Sequence, residues 1–366
     1  MTSPLIGARV DSNLDVIRVV AALAVLVGHG VTLTAREEIP ILGLSMSSLG
    51  VMVFFVISGW LIAGSWNRNP NPSVYFVNRA LRIFPALIAV TVLTVFVLGP
   101  LVTSLSPGEY FTASGTWQYL GNAALWTQFG LPGVFESTPF PGVVNGSLWT
   151  LPVEFGCYVG IALLGVVPRR ARIWWAAATA VLGIAAFALV SREHISFGAY
   201  TSETAMLVAF FAAGAFLRYL ADRIGHRRWI RVDVAAGLLV LNILSGYFGP
   251  LQHSFVAWVL LPYITLAFGL ASTPIIRRAS RFGDFSYGLY LWAFPVQQVV
   301  VMLVPGIPFI INTAIVTLVT GVLAVASWWL IEKPALGFKL GGAVPPTVVP
   351  VEHEHHPAAP IPAAQP

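Results

Sequence analysis

The amino-acid sequence predicts an all-α fold: a polytopic membrane bundle of about ten transmembrane helices, both termini cytoplasmic, with a disordered C-terminal tail. Three observations predict it. Of the 366 residues, 57% are hydrophobic and 10% charged, whereas soluble domains carry about 25% charged residues. Apolar runs close to the roughly 20 residues that cross a bilayer as a helix recur along the chain. The cations fall almost wholly on one side of those runs.

The runs cover approximately 14–34, 47–66, 80–103, 147–167, 172–190, 203–220, 232–248, 254–271, 285–304 and 309–331. An even number of spans returns the chain to the side on which it began. With the N-terminus in the cytoplasm, 17 of the 20 Lys and Arg lie in cytoplasmic segments; Arg36 and Arg192 fall outside and Arg18 falls within the first span. That bias is the positive-inside signature, and one missed or invented helix would invert every later loop. Three parts follow: a cytoplasmic N-terminal segment over 1–13, a transmembrane domain over 14–339 and a Pro/Ala-rich tail over 340–366 that has too few large apolar residues to bury a core. The net charge of +5 reflects basic loops that set topology, so no nucleic-acid partner is expected. No cleavable leader is visible, and Cys157, the lone cysteine, forms no intramolecular disulfide and fits no metal pattern. His353, His355 and His356 in the tail read as incidental, and no metal site is assigned.

The first span organises the chain. Arg18 and His29 are eleven positions apart, close to three helical turns, so they share one face about 16 Å apart along the axis. Ionisable groups inside a membrane usually face a bundle interior or a wet cavity. Asp15, one turn before Arg18, is placed to pair with it. In the second span, Ser58, Gly59 and Trp60 read as close helix packing. Arg79 and Arg82 open the third span on one helix face, and with Arg18 they suit an anion. The outer connection 104–146 is rich in aromatic residues, and Trp117 to Phe129 reads as an interfacial or re-entrant piece. In the fourth span Glu154 is expected at the depth of His29, where the two could form a hydrogen-bonded dyad. The ninth span carries Tyr287 and Tyr290, a kinking Pro295, and Gln297 and Gln298, which need partners. Glu332 ends the tenth, either paired with an arginine or solvated.

Six stretches in order, LDVIRVVAALAVLVGH, FFVISGWLI, NRALRIFP, SLWTLPVEF, FSYGLYL and W-x-x-E-K-P from Trp329 to Pro334, make the chain similar to the membrane-bound acyltransferase 3 family. The likeness covers about residues 14–335. It implies an integral membrane O-acyltransferase, most simply an O-acetyltransferase. Such an enzyme moves an acyl group from cytoplasmic acyl-CoA to a hydroxyl of a glycan, lipid-linked sugar or other acceptor. Acyl-CoA, most simply acetyl-CoA, would be a donor substrate, with no bound cofactor. By this resemblance Arg18, Arg79 and Arg82 hold CoA phosphates, His29 lies at the reacting end with Glu154 beside it, and Asp15, Ser147, Trp149 and Tyr290 support the site. Many members carry a histidine where this chain has Trp292 and Ala293, and an aspartate where it has Met52, so no second catalytic histidine is assigned. The expected setting is the cell inner membrane, and a homo-oligomer is left open. The alternative is a transporter or flippase, for which paired broken helices and an inverted repeat would speak; neither is visible.

Overall fold

The computed structural model describes residues 12–37, 41, 44–193, 201–225, 229–245, 250–274 and 283–340. Arg9, Arg227, Arg228, Arg277, Arg278 and Arg281, and the tail histidines, lie outside the described residues. Each apolar run falls on a helix: α1 Leu14–Leu33, α2 Met46–Arg68, α3 Pro72–Leu93, α4 Thr150–Leu164, α5 Arg169–Glu193, α6 Thr201–Ile224, α7 Val232–Ser245, α8 Pro250–Leu270, α9 Ser286–Leu303 and α10 Phe309–Ser327. Among the described residues there is no strand, only isolated bridges at Ile41–Leu44 and Thr103–Val134. By length and composition five helices are long and apolar enough to cross a membrane: Leu14–Leu33, Met46–Arg68, Pro72–Val102, Ser202–Ile224 and Phe309–Leu336.

Local chemistry sets the ends. Ser45 accepts a hydrogen bond from the Ser48 amide ahead of α2, and Asn71 accepts from Val74 ahead of α3, with Pro72 in the first turn. Both fill the orphan amides of a helix start. Two helices run on through wide π turns, at Thr94–Leu98 and Trp328–Glu332. Each lies just ahead of a proline, Pro100 or Pro334, which cannot donate the ordinary hydrogen bond to the residue four before it. The second of these turns matters below, because Trp328 and Glu332 face the site.

Packing centres on α2, which lies between α1 and α6. At the α2–α6 contact, a Cβ on Gly59 would collide with the Phe211 carbonyl, and one on Gly214 with that of Val56. The expected small-residue contact is therefore present, and it lets the backbones meet. The main core joins Phe55, Trp60, Leu87, Leu151, Tyr158 and Phe210. On α10 and its π turn, Ile311, Ile315, Leu318, Val322 and Trp329 are exposed while Val316, Thr320 and Ala324 are buried. An apolar outer stripe beside a buried face is what a helix shows when lipid is its solvent.

The connection 104–146 is a folded cap. Helical turns at Pro107–Thr112, Ser114–Gln118 and Tyr119–Ala124 close over a separate core of Val95, Tyr110, Tyr119, Leu131, Val134, Phe135 and Val144. The piece from Trp117 to Phe129 thus belongs to this cap. A different segment dips inward: the chain before α4 runs down α9 without helical structure. Gln298 donates to the Phe140 and Val143 carbonyls at 2.8 and 2.7 Å, Asn145 to Leu291 at 2.9 Å, and Tyr290 to Ser147 at 2.7 Å. Irregular backbone inside a bundle requires such partners, and they answer for the amide nitrogen of Gln298. Helix α4 starts only after this descent, which is why it is short.

Candidate active site

The descent decides where Glu154 lies. Counted from the start of its apolar run, Glu154 falls at the depth of His29; because the helix begins only at Thr150, after the descent, it lies deeper in the bundle. Its Oε1 accepts from Ser58 Oγ at 2.8 Å and Tyr158 Oη at 2.6 Å. Ser58 is eleven residues along α2 from Ser47, the neighbour of Gly28, a distance of roughly 16 Å along the helix. Glu154 is therefore level with Arg18. No hydrogen bond joins it to His29 among the described residues, so the expected dyad is absent from this conformation.

A cavity of about 260 Å³ occupies this end of the bundle, lined by Asp15, Arg18, Arg79, Arg82, Glu154 and Asp284, with Ser58, Thr150, Tyr158, Tyr287 and Tyr290 among its polar walls. Six helices contribute, α10 through Trp328 of its π turn. Asp284, in the turn before α9, is the hub: its Oδ2 accepts from Arg18 at 2.9 Å and Arg82 at 2.6 Å, and its Oδ1 from Ser286 Oγ at 2.5 Å. Burial alone would raise the Asp284 carboxyl, but the Arg82 and Arg18 guanidiniums and Ser286 hold it well below the usual carboxylate range. Arg82 also meets Glu332 at 3.2 Å, a residue presented by the π turn of α10 and itself held by Ser327 at 3.0 Å. Asp15 stands 3.7 Å from Arg18, as the one-turn spacing predicts.

The three arginines therefore differ. Arg18 and Arg82 share a carboxylate, whereas Arg79 has no salt bridge to a carboxylate among the described residues and keeps a buried Nε without a partner. The cavity is lined by cations and anions together, so an anionic ligand would meet Arg79 as its least compensated cation.

His29 does not line this cavity. It is half-buried, with its ring edge-on to Phe294 at 5.1 Å. Tyr290, one turn before Phe294 on α9, forms the cavity wall together with Phe54, ring centroids 6.0 Å apart, and its hydroxyl is 2.5 Å from Thr150 Oγ1. His29 thus sits about one helical turn beyond that wall. Ser147 contributes its carbonyl to Tyr290 and keeps a buried hydroxyl with no hydrogen-bond partner among the described residues; Trp149 packs against the main core. Reading the sequence missed Asp284, Tyr158 and the polar role of Ser58. The i, i+4 spacing of Glu154 and Tyr158 was a usable signal; nothing local marks Asp284 as the partner of residues more than two hundred positions away.

These features define a multi-pass helical membrane protein with a charged internal cavity. Residues 11–333 match the acyltransferase domain family, and the chain belongs to it. It is an acyl-transferring enzyme, which sets aside the transport alternative. The chain is 29% identical over 326 residues to an O-acetyl transferase of Shigella phage Sf6, covering 87% of this chain and 94% of that one. To Nodulation protein 10 of Rhizobium leguminosarum bv. viciae it is 28% identical over 359 residues, 89% and 93% of the two chains. It is 24% identical over 328 residues to a putative peptidoglycan O-acetyltransferase of Bacillus subtilis (strain 168), 78% of this chain and 50% of that protein. No solved structure matches significantly.

Proposed function

We propose that the protein is an O-acyltransferase, most simply an O-acetyltransferase, that takes its acyl group from cytoplasmic acyl-CoA and esterifies a hydroxyl of a glycan or other envelope or secondary-metabolite acceptor. In this reading all ten long helices cross the inner membrane and both termini are cytoplasmic. The observation that carries it is one cavity lined jointly by Arg18, Arg79, Arg82 and Glu154, within a chain of the acyltransferase domain family.

Acyl-CoA is an anion joined to its thioester by an extended arm. Arg79 binds the phosphates first, and Arg18 and Arg82 join it by sharing their bonds to Asp284 with the ligand. The arm lies in the cavity beside Glu154, whose charge is held in place by Ser58 and Tyr158. The thioester passes Tyr290 to reach His29. His29 removes the proton from the acceptor hydroxyl, the acceptor oxygen bonds to the acyl carbon, the carbon–sulfur bond breaks, and the departing thiolate receives the proton. If the ring attacks first, it carries the acyl group covalently before the acceptor takes it. Glu154 acts from the cavity side as a fixed charge that orients the arm.

The test is release of CoA from acetyl-CoA by purified protein in detergent, with and without a polysaccharide acceptor. Acceptor-dependent release is expected, and His29→Ala is expected to abolish it with unchanged expression and melting. A fully active His29→Ala protein would remove His29 from the mechanism. No release from any acyl-CoA would remove the donor assignment.

A further inference from the structure

A second, separate cavity of about 470 Å³ lies on the inner side, between the end of α2, the start of α5 and the end of α6. Arg68, Arg169, Arg170, Arg172, Arg218 and Arg223 line it, against a single acid, Asp222. That acid is already engaged: Arg218 meets it at 3.0 Å and Asn67 donates to it at 3.1 Å. Arg172 is structural, donating to the Gly165 and Val167 carbonyls and to Asn67 at 2.6, 2.9 and 3.0 Å. Arg223 and Arg169 donate to backbone carbonyls at 2.5 and 3.4 Å. Among the described residues no carboxylate pairs with Arg68, Arg169, Arg170 or Arg223. Two further groups on the inner wall lack hydrogen-bond partners among the described residues: the Arg218 Nε and the hydroxyl of Tyr219, a residue only 5% exposed. The start of α5, a helix of 25 residues, adds the positive end of its dipole.

Forked guanidiniums at a helix start are a phosphate receptor. The source of the phosphate is indicated by the neighbouring surface. Leu163, Val166, Trp174 and Trp175, each within a few residues of the arginines, are between 59% and 85% exposed. A charged pocket beside a broad apolar face with paired tryptophans fits an amphiphile, headgroup in the pocket and chains along α5. We infer that this cavity binds the headgroup of an anionic phospholipid.

The probe is phosphatidylglycerol, with the full chain purified from nanodiscs of phosphatidylcholine alone or doped with phosphatidylglycerol and read by native mass spectrometry. One retained phosphatidylglycerol per chain is expected. Retention is expected to fall roughly tenfold or more in the double variant Arg169→Gln, Arg170→Gln, since each basic side chain near an anionic surface carries several-fold in affinity. Those two side chains are exposed, so melting should be unchanged, and Arg36→Gln on another face should retain the lipid. Inorganic pyrophosphate should not displace it. Displacement by pyrophosphate, with no preference for phosphatidylglycerol over phosphatidylcholine, would overturn the lipid as the source. Equal retention in the double variant would overturn the site itself. Acyl transfer is not part of the readout, so this outcome is independent of the catalytic reading.

Discussion

The two arginine clusters of this chain are built on opposite plans. The inner one, around Asp284, brings its own counterions: Arg82 is 20% exposed yet meets two carboxylates, one of them 2% exposed. The peripheral one, around Asp222, has six arginines and one acid, and relies on backbone carbonyls and the medium. The difference follows from dielectric. A guanidinium inside a bundle cannot be left to water, so breaking its pair exposes an uncompensated charge; one at the interface can be screened. An internal cluster can still bind an anion, because shared carboxylate bonds can be traded for phosphate bonds, but its stability and its ligand affinity become linked.

Several variants sharpen or break that comparison. The largest effect is expected for Asp284→Ala, which strands Arg18 and Arg82 together: about 3–5 kcal/mol lost, read as a collapse in melting temperature or yield in detergent. Retained melting would show that the inner cluster is hydrated like the outer one. Glu332→Gln should cost less, about 1–3 kcal/mol, because Asp284 still serves Arg82. Arg79→Ala, at the arginine without an acid partner, should leave melting unchanged while raising the KM for acyl-CoA about tenfold, as expected for lost charge-assisted bonds of about 1.4 kcal/mol or more. Arg82→Ala should lower melting and raise KM together; if the two arginines behaved alike, their distinction would fail. Ser58→Ala removes one of two hydrogen bonds to Glu154 and should cost about 1 kcal/mol in activity or stability, measured as kcat/KM and melting side by side. Smallest of all, Arg169→Gln should shift stability within about 0.5 kcal/mol.

The cap and the inner bundle differ as well in how far the sequence revealed them. The helices were legible because apolar length and small-residue spacing are local properties of a single run. Family membership was legible because six short stretches stand in order. Asp15 with Arg18 was legible because a one-turn spacing sets the contact. Glu154 was placed at the wrong depth, since its run of apolar letters begins at residue 147 while the helix begins at Thr150, after a non-helical descent that Gln298 of α9 and the descent's own Asn145 hold in place. Hydropathy registers apolarity and cannot tell a helix from a buried irregular strand of chain.

The sequence by itself determined an all-helical membrane protein of the acyltransferase domain family and which arginines and carboxylates it has to accommodate. Only the tertiary structure decided which acid meets which arginine: Asp284 is 266 positions from Arg18 and 202 from Arg82. It also set Glu154 with the arginines and His29 one turn beyond Tyr290. The physical reason is that helical periodicity fixes neighbours within about a turn, whereas a pairing between helices depends on how their faces are rotated and how deeply each is seated, and those follow from the packing of the whole bundle.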